Sequence, residues 1–150
     1  MKKIILATAV SVAFSIASFA GEKNINPKLL NDLTTTLRNS VQVHWMSKAE
    51  YTKATFSFND KTAFAFYDPN DNELIGFGIQ SDKTDLPEVV SDAIKNKYGD
   101  WAVIEAMTFI DTQGYINYFA QVKKNNKDFA LKITPAGNVS IYGKIYNPDK

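Results

Sequence analysis

The chain of 150 residues is one domain's worth, and its 17 Lys plus Arg nearly balance 16 Asp plus Glu. That balance excludes electrostatic capture of nucleic acid or anionic membrane as the main activity. The lack of cysteine excludes a disulfide framework, thiol catalysis and a zinc knuckle, and a single histidine, His44, excludes a His-rich metal site.

Met1-Lys2-Lys3 is a short positive start, followed by 17 uncharged residues from Ile4 to Ala20 and by Ser18-Phe19-Ala20 ahead of Gly21. This is the layout of a cleaved secretory signal. The uncharged stretch, rich in Ser, Thr and Ala, sits at the lower limit for crossing about 30 Å of hydrocarbon. The sequence therefore predicts a signal peptide over 1–20. It predicts a periplasmic or secreted mature chain, 21–150, with no membrane attachment after cleavage.

Beyond the leader, Ile25, Leu29, Leu33 and Leu37 recur every fourth residue with Leu30 beside them, an apolar helical stripe. Asn26-Pro27 marks its start and Asn39-Ser40 its end. Runs rich in Phe, Tyr, Val, Ile and Thr follow at about 41–46, 50–58, 62–67 and 73–79, broken at Ser47-Lys48, Asn59-Asp60 and Asp68–Asn72. After the link Ser81–Thr84 the plan repeats. Leu86, Val90, Ile94 and Tyr98 form a second stripe, each 61 residues after its counterpart. Asp85 and Glu88 have capping-box spacing, and Gly99 is placed as the stop. Strands are expected at about 102–110, 114–123, 128–134 and 138–145. Loops this short join antiparallel neighbours.

The expected fold is α+β, with two tandem repeats, about 25–80 and 85–146, each a helix plus a four-stranded antiparallel meander. A half of this size is marginal alone. The two are expected to fuse into one eight-stranded antiparallel sheet with both helices on one face, a single domain over 21–150.

Asp85-Leu86-Pro87-Glu88-Val89-Val90, Ala93–Tyr98 and Trp101 resemble the PepSY-like, β-lactamase-inhibitor-like family of secreted bacterial proteins. Val43-His44-Trp45, Tyr51 with Ala54-Thr55-Phe56, Ala65–Asp68 and Leu74-Ile75-Gly76 carry the same resemblance in the first half. It covers about residues 25–146. It implies two helix-plus-four-strand subdomains in tandem, and no inhibitory residue is carried over on shape alone.

Catalytic chemistry is not written in this sequence. His44 lies in a strand with no nucleophile placed near it, and no Gly-x-Ser-x-Gly elbow, phosphate loop or His-Glu-x-x-His helix is present. Asp68, Asn70 and Asn72 have calcium-loop spacing, but Glu73 and Ile79 occupy the positions that need Gly and a bidentate Glu, so a solvated loop is expected. Asn138-Val139-Ser140 matches a glycosylation acceptor, and Lys123-Lys124 with Lys127 reads as a charged hairpin tip. No catalytic residue, metal ligand or cofactor is assigned.

Strand alternation then says which side chains face away from the helices. It turns Ala54, Phe56, Phe58, Phe64, Phe66, Ile116, Tyr118, Ala120 and Val122 inward, with Phe129, Leu131, Ile133, Val139 and Ile141. It leaves Tyr51, Tyr67, Tyr115, Phe119 and Tyr142 outward among Lys, Thr, Asn and Gln; Trp45 and Trp101 are not oriented by it. Such amphipathic aromatics suit a recognition surface, although cross-strand pairs on a wet sheet would look the same. The reading is a non-enzymatic envelope protein with these five residues as the docking set for a protein or peptide, and the resemblance extends this to modulation of a secreted enzyme. Its alternative is a small-molecule, glycan or lipid binder using the same rings. On either reading, Tyr67 and Phe119 are expected to tolerate alanine with little loss of thermal stability.

Overall fold

A computed structural model describes residues 25–144; the leader lies outside the described residues. In chain order the elements are α1 (Pro27–Asn39), β1 (His44–Ser47), β2 (Thr52–Phe58), β3 (Lys61–Tyr67), β4 (Leu74–Ser81), α2 (Glu88–Tyr98), β5 (Ala102–Asp111), β6 (Ile116–Lys124), β7 (Lys127–Ile133) and β8 (Val139–Lys144). The strands form one eight-stranded sheet in sequential order, every neighbouring pair antiparallel. The fold is α+β. β4 and β5, which flank α2 in the chain, pair from Gly76↔Asp111 to Ser81↔Ala106.

Local chemistry accounts for the boundaries. The Asn26 side chain accepts the Leu29 N–H at 3.0 Å and Pro27 occupies the first turn, where it gives up no hydrogen bond. The Ser40 N–H closes the other end on the Leu37 carbonyl. Asn59 and Asp60 both take positive φ, 48° and 64°, the requirement of a two-residue hairpin whose twist matches its strands. One expectation about α2 fails. Asp85 does not cap it: Pro87 is the N-cap, without a side-chain hydrogen bond, and Asp85 instead accepts Lys61 Nζ at 2.9 Å. Gly99 is the stop, as the C-cap of α2, in a right-handed conformation at φ −62°, and a Cβ there would lie 2.5 Å from the Lys95 carbonyl. Close approach, not a left-handed turn, is what it provides.

The sheet carries a buried cluster on each face. The first holds Leu33 of α1 and Val90, Ile94 and Tyr98 of α2, with Ala54, Phe56, Ala63, Ala65, Phe77, Ile110, Ala120 and Leu131 from the strands. The second holds Tyr51, Phe64, Phe66, Met107, Phe109, Phe119 and Ala130, with Ile75 and Tyr142 packed against it. The register keeps the two apart: Ala54↔Ala65 and Phe56↔Ala63 pair on the first face, Thr55↔Phe64 and Lys53↔Phe66 on the second. Phe64 and Phe66 therefore point the opposite way from the sequence expectation. Both faces of β3 are buried, and a strand covered on both sides has no polar alternation to give its direction.

Candidate functional site

The second face is organised by a ladder of aromatic rings. Tyr51 meets Phe66 edge-on with centroids 5.7 Å apart, Phe66 lies 6.2 Å from Phe64 and from Phe109, Phe109 lies 6.1 Å from Phe119, and Phe119 lies 5.1 Å from Tyr142. The edge-to-face contacts set the positive ring edge against the negative ring face, a favourable geometry. Two strands are crossed without contributing a ring. Rings of β3 and β5 meet over β4 because Gly76 and Gly78 stand between them: a Cβ on Gly76 would lie 2.6 Å from Phe109 Cζ, and one on Gly78 would collide with Met107. Rings of β6 and β8 meet beside Ala130 of β7.

Polar groups flank the ladder. Lys53 is 3% exposed, with its ammonium 4.9 Å from the Phe64 ring centre, a cation–π contact. Gln121 is 2% exposed and donates to Asp128 at 2.9 Å, while its Oε1 has no partner. Asn117 is 0% exposed, and neither atom of its carboxamide has a partner. Asn117, Phe119 and Gln121 alternate along β6 and share this face, opposite Phe109, Met107 and Glu105 of β5.

The five sequence-predicted residues are divided by the fold. Tyr51 and Phe119 belong to the ladder but are 0% and 1% exposed, so they are core residues and not exposed anchors. Tyr142 ends the ladder and is partly exposed. Tyr67 lies on the other face, packed against the first cluster, its ring 5.7 Å from that of Trp45, which is 61% exposed. Tyr115 precedes β6 and its backbone bridges to Ile25. The ladder members that sequence reasoning missed are Phe64, Phe66 and Phe109. The signal was Gly76-Phe77-Gly78, since glycine inside a strand marks the close approach of another group.

Burial lowers the pKa of the Lys53 ammonium, with Lys48 adding repulsion and Glu105 opposing. Burial raises the phenols of Tyr67, Tyr118 and Tyr142, the last most strongly. A folded Lys53 releases its proton at lower pH than the unfolded chain does, so its cost is relieved, and stability rises, as pH climbs toward about 10.5. The phenols keep protons that unfolded tyrosines lose, so above about pH 10 they withdraw stability. Thermal melts across alkaline pH should show Tyr142→Phe losing less stability than the parent above about pH 10, and Lys53→Met lacking part of the rise below it. Parallel curves for parent and variants contradict this.

Other hollows are simpler. His44 is exposed on β1 opposite Thr55, beside a cavity of about 320 Å³. A cleft of about 410 Å³ between α2 and the start of β5 is walled by Leu86, Ile94, Tyr98 and Trp101, with Lys83 and Lys95 at its edge. The loop after β3 is a solvated turn in which Asp68 accepts the Asn70 N–H and Asp71 that of Glu73. Among the described residues, no group of three or more His, Asp or Glu is placed to hold a metal, and no helix is long and apolar enough to cross a membrane.

No family model matches the sequence, and no curated protein matches it. Solved structures do share its fold. A BLIP-like protein of Bacteroides fragilis is 16% identical with a TM-score of 0.62, over 87% of this chain and 93% of that one. A DUF2874 family protein of Bacteroides uniformis is 17% identical with a TM-score of 0.64, over 79% and 90%. A protein of Bacteroides eggerthii provisionally described as periplasmic is 18% identical with a TM-score of 0.61, over 77% and 85%. The fold is thus the one seen in BLIP-like and DUF2874 proteins.

Proposed function

We propose that this is a non-enzymatic periplasmic or secreted protein that offers the second face of its sheet to a protein or peptide partner. The observation that carries the reading is the ring ladder from Tyr51 to Tyr142, an aromatic cluster to which, among the described residues, neither α1 nor α2 contributes a buried residue. We further propose that residues 1–20 are a cleaved signal. Residues 25–80 and 85–146 are then copies of one ancestral half, zipped along β4 and β5 with both helices on the first face. Likeness to BLIP-like proteins and to one described as periplasmic supports this placement.

Within this reading the partly exposed Tyr142 and Ile75 are first to meet a partner, and Tyr51 and Phe119 hold the surface in shape from below. Tyr67, on the other face, takes no part. Residues of this kind dominate binding when they sit in a packed, desolvated centre. A small-molecule alternative is favoured by one observation, the aromatic-walled cleft beside α2, whose size suits a small ligand.

The test is affinity capture from the native envelope fraction with two lysine variants. Tyr142→Lys is expected to lose the captured partner, and Val89→Lys, on an exposed position of α2, to keep it. Equal recovery with both overturns the reading.

A further inference from the structure

The cleft beside α2 has walls of Leu86, just ahead of the helix, Ile94 and Tyr98 on it, and Trp101, which follows the turn at Gly99. The Trp101 N–H donates to the Tyr98 carbonyl at 2.9 Å. Its ring meets that of Tyr98 edge-on at 5.4 Å and stacks on that of Phe129 at 5.5 Å, so the aromatic wall is in place before a ligand arrives. Unlike the ring ladder, this hollow is open. It holds about 410 Å³, within the range of small-ligand sites, and Trp101 and Val103 in its lining are partly exposed.

The charges that line it have one sign. Lys83 and Lys95 are both exposed along it, and no carboxylate is. Among the described residues neither lysine makes an ion pair. The acids next to the wall residues in the chain are engaged elsewhere: Asp85 holds Lys61 of β3, and Asp100 holds Lys124 of β6. Asp82 and Glu105 line a neighbouring hollow that Lys83 also borders, without pairing with it. A cleft with apolar walls and one sign of charge focuses its field on a ligand of the opposite sign.

We propose that this cleft binds a small organic acid, with its apolar tail against Tyr98 and Trp101 and its carboxylate between Lys83 and Lys95. An ammonium is a compact charge on a flexible stem, so two of them can share one carboxylate without a planar fork. Burial of the tail supplies most of the binding. The exposed ammoniums each add little, but they select the sign of the head group. A neutral molecule of the same shape keeps the tail contacts and loses the head. The site is separate from the second face and does not rest on the docking reading.

The probes are 4-phenylbutyrate and its uncharged twin 4-phenylbutan-1-ol, titrated into the full-length exported protein carrying Trp45→Phe. The chain has two tryptophans, so Trp101 is then the sole reporter of indole fluorescence. The acid is expected to change that emission saturably and to bind about tenfold more tightly than the alcohol at low salt, with the gap narrowing as salt is added. Lys83→Gln with Lys95→Gln is expected to weaken the acid about tenfold and to leave the alcohol unchanged. Lys28→Gln with Lys48→Gln removes the same charge elsewhere and should leave both unchanged. No saturable change with the acid, equal affinity for acid and alcohol, or equal weakening by the two lysine pairs overturns the proposal. Tyr142→Lys should not alter binding of the acid, so either site can fail while the other stands.

Discussion

Phe119→Ala is expected to destabilise the fold by about 3–5 kcal/mol, the range for deleting a fully buried phenylalanine. The residue is 1% exposed and sits in mid-ladder, 6.1 Å from the Phe109 ring and 5.1 Å from that of Tyr142, opposite Met107 on β5. Central strands cannot slide to close the gap without giving up their ladder hydrogen bonds, so the cavity stays open. For a domain of this size the melting midpoint should fall by about 10–20 °C. Tyr142→Ala, at the partly exposed end of the same ladder, should cost clearly less. A fall of only a degree or two for Phe119→Ala would mean that its ring faces solvent after all, as strand alternation first implied.

Gly76→Ala is the second large effect, and a single methyl group is enough to produce it. Its Cβ would stand 2.5 Å from the Ile110 carbonyl oxygen and 2.6 Å from Phe109 Cζ. The first obstacle is backbone of the neighbouring strand β5, and backbone cannot rotate away. Overpacking of this kind costs typically about 1–3 kcal/mol, and here it should reach the upper end of that range or pass it. Gly78→Ala meets the flexible end of Met107 and should cost less. Gly143→Ala, with nothing within 4 Å of the added atom, should be close to neutral. Urea unfolding of the three variants gives the order directly; equal midpoints for Gly76→Ala and Gly143→Ala would contradict the close approach of Phe109 over β4.

The order of elements was legible because helical and strand periods differ. Leu29, Leu33 and Leu37 recur at the helical spacing, and Asn59-Asp60 supplies a turn only such residues tolerate. What the pattern did not carry was direction. In β2 the polar Lys53, Thr55 and Ser57 mark one side, and the inward assignment of Ala54, Phe56 and Phe58 holds. In β3 every position from Ala63 to Phe66 is buried, so size was the only guide, and it pointed the larger rings the wrong way. The register with β2 puts the alanines with the helix-contributing cluster and sends Phe64 and Phe66 into the ladder. Asp85 shows a different failure. Its spacing to Glu88 fits a cap, yet the distant Lys61 holds it, and that hydrogen bond keeps its carboxyl below the usual carboxylate range. Long-range partners of this kind leave no local trace.

The site was half legible for the same reason. Strands with polar outward positions placed Tyr51, Phe119 and Tyr142 on the face away from the helix-contributing cluster, where the structure has them. Alternation alone could not report that the rings bury one another, because that depends on the glycines of a strand between them. Asn117 reads in the sequence only as a polar residue on an outer face. In the structure its carboxamide is buried and unpaired.

The central claim is that partners meet the sheet on its second face. Photo-crosslinking in intact cells tests it most directly, with p-benzoylphenylalanine placed at Tyr142 in one strain and at Val89 of α2 in another. The account predicts discrete adducts of a defined partner from position 142 and none from position 89. Adducts from position 89 alone, or from neither, would contradict it.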